Sequence, residues 1–238
     1  MQIARKVSAL IGIALALGFG AGGAAADTCC TGFYVTGVIT GGGAFLSDIK
    51  NTGPTKGTLK DDSAKDSVAG GGVAVGFNWK RLGAPIRTEL EFAHMIRMDY
   101  DSRPTFKDKL PSAGFEDNVS SSTILLNVLY DFNVGSTWWR PYAGFGIGYS
   151  RTKSDVNWND FSLGGTNTVQ NEQFNKDNLA WALTAGGQFD FNANWFAEAA
   201  YRYLNLGKVE AGFTPVGVRI EADTLYLHEL RLGFGYRF

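Results

Sequence analysis

The feature that most restricts the fold of this chain is a period-two alternation of apolar and polar residues that recurs eight times. Because successive side chains of a β-strand point to opposite faces, this period predicts strands. The predicted strands cover residues 32–45, 68–80, 85–99, 119–132, 139–152, 178–191, 195–205 and 223–238. Soluble strands average about 5–6 residues, whereas a transmembrane strand needs about 9–11. Strands of the predicted length can therefore cross a membrane.

The connections between these strands alternate between long and short. The long connections are polar and cover 46–67, 100–118, 153–177 and 206–222, whereas the short ones cover 81–84, 133–138 and 192–194. Outer-membrane barrels have long external loops and short periplasmic turns. The alternation predicts an all-β, eight-stranded, antiparallel, up-and-down transmembrane β-barrel with both chain ends on the periplasmic side.

The chemistry of the two strand faces distinguishes a transmembrane barrel from a soluble one, which would enclose the apolar face. Here the polar face is rich in glycine and in charges of both signs, which suits a narrow interior. Aromatic residues gather on the apolar face at the short-turn end, as is typical of an interfacial girdle. They are Phe77, Trp79, Phe132, Trp138, Trp139, Phe189, Phe191, Trp195, Phe234, Tyr236 and Phe238. This pattern favours the transmembrane barrel over the soluble alternative.

The inward face of the predicted barrel carries a set of charged and amide side chains. They are Arg87, Glu89, Glu91, Arg97, Asn127, Glu198, Arg202, Glu229, Arg231 and Arg237. Charges of both signs in a narrow interior are expected to pair, because an unpaired buried charge is costly. An ion path would use the same residues. Eight strands enclose a space that side chains just fill, and this favours a paired structural network.

The N-terminal segment has the pattern of an export signal. Two basic residues precede an uncharged apolar run, and small residues of a cleavage site follow it, at Arg5, Lys6, Ala24 and Ala26. The run is shorter than the roughly 20 residues of a membrane-spanning helix. Residues 1–26 are therefore expected to be removed as a signal peptide, leaving one barrel domain over 27–238 that begins at Asp27.

The C-terminal segment 230–238 resembles the last strand of OmpA-like and small surface-antigen outer-membrane barrels, in which a final Phe follows aromatic or aliphatic residues at alternate positions. Similar motifs occupy 87–92, 126–132, 141–148 and 201–203. The resemblance implies residence in outer-membrane lipid of a Gram-negative type of cell. It also implies assembly by the barrel insertion machinery, which reads the last strand, with Phe234, Tyr236 and Phe238 as the signal.

Three functions are compatible with such a barrel. The leading one, which the resemblance implies, is a structural or surface-presenting role in envelope integrity, as a surface antigen or in adhesion. Its external loops would then meet a partner that the sequence does not name. A small-conductance channel is the alternative, and a lipid-acting enzyme is the third.

Catalysis and cofactor binding are not expected from the sequence. His94 and His228 both fall on the predicted lipid face near the external end, and Met95 and Ile96 follow His94, so no His-x-Ser pair is present. Segment 155–160 lacks the Gly and Glu of a calcium loop, so neither a metal nor another cofactor is expected. The formal net charge of −1 gives no basis for binding nucleic acid.

Overall fold

The computed structural model describes residues 32–51, 63–102, 114–135, 138–159, 170–213 and 219–238. Eight strands run through them: β1 (Phe33–Asn51), β2 (Ser63–Asn78), β3 (Ile86–Ser102), β4 (Gly114–Asp131), β5 (Trp139–Asn159), β6 (Gln170–Asp190), β7 (Trp195–Phe213) and β8 (Arg219–Arg237). Each strand pairs antiparallel with its chain neighbours, and β1 pairs with β8 to close the barrel. Closure pairs the backbone polar groups that lipid cannot satisfy. The predicted eight-stranded barrel is confirmed.

Two further observations concern the ends of the chain. The predicted signal peptide, with its cleavage site at Ala24, Ala26 and Asp27, lies outside the described residues. The Phe238 amide donates to the Phe33 carbonyl at 3.0 Å, so the first and last described strands meet at the end with the short turns. No helix long and apolar enough to cross a membrane occurs in the described part of the chain.

The pairing register fixes the stagger of the strands. A path from partner to partner around the barrel leaves β1 at position 34 and returns to it at position 44, ten residues further along. The path runs through Tyr34, Gly76, Glu89, Asn127, Gly146, Ala182, Leu204, Leu227 and Ala44. Eight strands with this shear tilt by about 40° and enclose a barrel of roughly 8 Å radius. Such a bore is filled by side chains.

Two aromatic girdles bound the apolar belt of the outer surface. The periplasmic girdle includes the ring pairs Phe33–Phe77, Tyr130–Phe132, Trp138–Phe189, Trp195–Phe234 and Tyr236–Phe238. The external girdle includes Phe45–Tyr226, Tyr203–Tyr226 and Trp181–Tyr203. On β5, Trp139 and Tyr149 mark the two levels, and the tilted strand between them rises about 25 Å. This height matches the apolar band of outer-membrane barrels.

The strands extend further on the external side than the alternation predicted. β5 and β6 contain 21 residues each, so most of the predicted loop at 153–177 is strand. The other long loops also lose residues to strands. Where a strand leaves the membrane, both of its faces contact water, so the period-two signal disappears although backbone pairing continues. On the periplasmic side β2 ends at Asn78, two residues before the predicted end, because a 3₁₀ turn begins at Trp79.

Two ladders end near the external girdle although their strands continue. The β2–β3 ladder ends at the Ala69–Ile96 pair, and the β6–β7 ladder ends at Trp181–Asn205. The other ladders continue further outward among the described residues. Beyond these pairs the backbone ladders join the strands in two groups of four, β7–β8–β1–β2 and β3–β4–β5–β6, and the Asn178 side chain donates to the Lys208 carbonyl across the gap between β6 and β7. We call this outer part of the strands the external crown.

Irregular residues on β3 and β7 lie beside the two gaps in the backbone pairing, one between β2 and β3 and one between β6 and β7. The register of β3 against β4 shifts between Met95 and Met98. The register of β7 against β8 shifts on both sides of Gly207, which has a left-handed φ of 81°. Such bulges bend the strand that carries them. Beyond the gaps, β3 therefore continues beside β4, and β7 continues beside β8.

Candidate functional site

Polar and charged side chains from four strands meet in the middle of the bore. The Glu91 carboxylate accepts hydrogen bonds from Arg202 at 2.6 and 2.7 Å and from Arg231 at 3.1 Å. The Asn127 amide donates to the same carboxylate at 3.3 Å. Glu91 is only 1% exposed, so these donors replace the water that its charge would otherwise require.

A second carboxylate connects this centre to the periplasmic half of the bore. Glu198 accepts a hydrogen bond from Arg231, and its other oxygen lies 3.8 Å from Arg87 Nη1. Arg87 donates through Nε to Asp131 at 2.9 Å, and its Nη1 lies 3.6 Å from Glu89. Positive and negative groups therefore alternate in one continuous network.

Aromatic side chains fill the bore on the periplasmic side of this network. The Tyr34 hydroxyl donates to Glu89 at 2.7 Å, and the Tyr34 ring packs edge-on against Phe196. The Arg87 guanidinium lies 4.8 Å from the centre of the Tyr142 ring. A cation over an aromatic face is stabilised most where water is excluded, as it is here.

An ion cluster closes the periplasmic rim. The Asp190 carboxylate binds Arg140 at 2.7 Å and also accepts a hydrogen bond from Arg237. The Arg237 guanidinium lies 4.5 Å from the centre of the Phe196 ring. Arg237 thus belongs to this rim and not to the central network in which the alternation placed it.

The external half of the bore is apolar. Its buried side chains are Ala44, Val68, Met95, Val119, Leu125, Ala180, Ala182, Leu204, Leu206, Leu225 and Leu227, which we call the apolar cap. A cavity of about 20 Å³ lies between this cap and the network, with Thr40, Thr123, Arg202 and Glu229 in its lining. That volume holds about one water molecule. In the part of the chain that the structure describes, the bore is packed and not a continuous aqueous column.

Eight of the ten side chains predicted to face the interior are buried there: Arg87, Glu89, Glu91, Asn127, Glu198, Arg202, Glu229 and Arg231. Arg237 lies at the rim. The Arg97 side chain falls outside the described residues, and the bulge between Met95 and Met98 interrupts the alternation on which its assignment rested.

Sequence reasoning did not identify the interior aromatic residues. A signal for them exists in the inward glycines, which make room for large side chains on neighbouring strands. A Cβ at Gly76 would lie 2.2 Å from the Tyr34 ring, and one at Gly235 would lie 2.2 Å from the Phe196 ring. At these two positions the inward glycine makes room for an aromatic side chain on the adjacent strand.

A polar row crosses the outer surface of β3 to β6 at the external girdle. His94 Nδ1 and Ser122 Oγ lie 2.9 Å apart. Ser122 is the cross-strand partner of Arg151, which donates to both oxygens of Asp177 at 2.8 and 3.2 Å. The sequence has no His-x-Ser pair at His94, and the serine beside the imidazole comes from the next strand.

His228 also lies in the external girdle, as its position on the lipid face predicted. Its imidazole is hydrogen-bonded to the Tyr201 hydroxyl and packs against the rings of Phe45, Tyr203 and Tyr226. Among the described residues, no group of three or more His, Cys, Asp or Glu could hold a metal ion.

Comparison with known proteins agrees with this architecture. Residues 11–238 match the family described as outer membrane protein beta-barrel domain. The chain is 30% identical over 148 residues to outer membrane protein PagN of Salmonella typhimurium, which covers 60% of this chain and 59% of PagN. It is 26% identical over 125 residues to the adhesin candidate RC1281 of Rickettsia conorii, which covers 52% of this chain and 49% of that protein. The matched regions thus span only about half to three fifths of these relatives.

Among solved structures, a major outer membrane protein of Thermus thermophilus has a TM-score of 0.52 to this chain at 14% identity. The match covers 86% of this chain and 99% of that one. At this identity the likeness is one of fold alone.

Proposed function

Because this chain belongs to the outer membrane protein beta-barrel family and lies in the outer membrane of a Gram-negative type of cell, we propose that it is a structural, surface-presenting protein whose external crown mediates adhesion. The packed bore carries this proposal. A barrel with a filled interior offers its partners only its outer surfaces, and the crown is the part that extends beyond the lipid.

The form of the crown supports this role. On β5 the strand continues from Tyr149 at the girdle to Asn159, which corresponds to roughly 25 Å beyond the membrane boundary. Regular backbone pairing holds this extension in a defined shape, so a binding partner meets a surface that is already ordered. The similarity to an outer membrane protein and to an adhesin candidate agrees with this interpretation.

The experiment is to shorten the crown while the barrel remains intact. Residues 153–175 are replaced by a short turn, and the protein is displayed on a non-adherent Gram-negative strain. Binding to monolayers of cultured animal cells is then counted. We expect the shortened protein to lose most of the binding that wild type confers. Leu126→Val, a change on the lipid-facing surface, is the control and should retain it.

Folding of each variant is checked by the different migration of heated and unheated protein in detergent gels. If the shortened barrel folds and still confers wild-type adhesion, the β5–β6 part of the crown is not the adhesive surface; if the same shortening of the other three external connections also leaves adhesion unchanged, the proposal fails.

The pairing of charges in the bore argues against the channel alternative. Arginines and carboxylates of the bore are paired with one another, whereas a selective pore presents a ring of one sign. We expect purified protein to give no stable porin-sized conductance in planar bilayers. Large ion-selective channels that Glu198→Ala abolishes, in a barrel of unchanged stability, would instead establish the channel.

The surface-presenting role requires no catalysis, and we propose none for this barrel. His94 contacts the Ser122 hydroxyl and His228 contacts the Tyr201 hydroxyl, and both pairs lie on the outer surface at the external girdle. An assay for altered outer-membrane lipid in a deletion strain tests this statement directly.

Delivery and assembly complete the proposal. Export is proposed to remove residues 1–26 before Asp27, which N-terminal sequencing of the membrane-inserted protein tests. The barrel insertion machinery is proposed to read the outward-facing residues Phe234, Tyr236 and Phe238 of the last strand. These rings form part of the periplasmic girdle, at the end of β8 and just beyond it.

A further inference from the structure

Hydrogen-bond donors converge on the outer surface of β3, β4 and β5 at the external girdle. His94 pairs with Ser122 across β3 and β4, and Ser122 pairs with Arg151 across β4 and β5. Lys153 occupies the next outward position on β5 and is exposed. An imidazole, a hydroxyl, a guanidinium and an ammonium group therefore share one small area.

Arg151 is held in place on this surface. Its Nε and Nη2 donate to the two oxygens of Asp177, and Nη2 also lies 3.3 Å from the Tyr149 hydroxyl. The fixed geometry reduces the conformational entropy that the side chain would lose on binding an anion. Among the described side chains Asp177 is the carboxylate of this area, and Arg151 donates to both of its oxygens.

The position of this area along the barrel axis indicates which part of the membrane it contacts. Outward residues one step closer to the membrane centre are apolar and exposed, namely Phe92, Ile124 and Leu179. The donors therefore begin where the hydrocarbon belt ends, at the level of the outer-leaflet headgroups. Guanidinium and ammonium groups form their strongest hydrogen bonds with carboxylate and phosphate oxygens.

Other outward cations at this height are arranged differently. Lys65 lies 5.1 Å from the centre of the Phe45 ring, and Lys208 lies 3.8 Å from the Asp223 carboxylate. Each is a single cation beside a partner, whereas Arg151 and Lys153 are neighbours on one strand with hydroxyl and imidazole groups next to them. These two lysines provide a matched control.

We infer that the surface formed by His94, Ser122, Arg151 and Lys153 binds the phosphate group of an anionic outer-leaflet lipid. The lipid chains then lie along the apolar surface of Phe92, Ile124 and Leu179, and the phosphate contacts the donors above it. Such contacts fix the height and orientation of the barrel in the membrane. The inference does not depend on adhesion by the crown.

The test is binding of bisphosphorylated lipid A to the full chain in detergent, measured by native mass spectrometry. The double variant Arg151→Gln/Lys153→Gln is expected to lower the affinity roughly tenfold or more, because two charge-assisted contacts are lost. The control Lys65→Gln/Lys208→Gln removes the same charge at the same height and is expected to change affinity less than about threefold. If the double variant does not fold, the single variant Lys153→Gln, at an exposed position, replaces it in the same measurement.

Three results would overturn the inference. Equal losses in the two double variants would show a general attraction to the cationic belt. Undiminished binding of lipid A from which the phosphates have been removed would show that the acyl chains alone bind. Full competition by millimolar inorganic phosphate would show a site for free anions instead of lipid. Loss confined to the Arg151 and Lys153 variants, with weak binding of dephosphorylated lipid, supports it.

Discussion

The central carboxylate of the bore offers the sharpest test of the interior network. Glu91 receives three hydrogen bonds from two guanidinium groups and one from an amide, and it is 1% exposed. Glu91→Ala leaves Arg202 without the carboxylate to which it makes both of its short hydrogen bonds. Removing one partner of a buried ion pair costs about 3–5 kcal/mol, so we expect a loss of that size in the free energy of unfolding.

Glu198, a second carboxylate of the same network, allows the stability losses of two alanine variants to be compared. After Glu198→Ala, Arg231 keeps its contact with Glu91, and Arg87 keeps its hydrogen bond to Asp131. We therefore expect Glu198→Ala to destabilise the barrel by about 1–3 kcal/mol, less than Glu91→Ala. The order of the two losses follows from how many partners each arginine retains.

The measurement is urea unfolding of the barrel refolded into lipid vesicles, followed by tryptophan fluorescence and checked for reversibility. A double variant, Glu91→Leu/Arg202→Met, should cost less than the sum of the single changes, because it leaves no uncompensated charge between them. Equal stability of wild type and Glu91→Ala, or a larger loss for Glu198→Ala, would refute this network of ion pairs.

Three further predictions concern the lipid face, the strand glycines and the last strand. Leu126→Arg should lower the free energy of unfolding in vesicles by about 2–4 kcal/mol. An Arg at the adjacent inward position, Asn127→Arg, avoids the lipid penalty and instead overpacks the bore. Equal losses of stability would mean that the two faces are wrongly assigned. Gly148→Ala, on the inward face, should lower stability by about 1–3 kcal/mol, because its Cβ would lie 1.9 Å from a backbone carbonyl, whereas Gly41→Ala, on the outward face with 3.9 Å of clearance, should be tolerated in the same assay. Deleting Phe238 should lower the assembled fraction under native expression and leave precursor export intact, as followed by fractionation and immunoblotting; unchanged assembly would contradict its role as a signal.

The alternation of side chains determined most of the fold without any structure. Period two predicted eight strands, and the alternation of long and short connections predicted their antiparallel order and orientation. Charges on the glycine-rich face predicted which side chains face the bore. These properties follow from the local geometry of a strand, in which each residue is assigned a face by its position alone.

Tertiary structure decided the contacts between strands. The sequence does not state the register, so it could not show that Glu91 meets Arg202 from β7 and Arg231 from β8, or that Ser122 lies beside His94. A stagger of ten residues around eight strands brings together side chains more than 100 positions apart.

The sequence pattern also could not predict where the strands end. Outside the lipid, both faces of a strand contact water, so alternation no longer marks the strand, and only backbone pairing shows that it continues into the crown. The bulges on β3 and β7 depend on neighbouring strands in the same way. Periodicity is a property of one strand, whereas register, bulges and ion pairs are properties of the closed barrel.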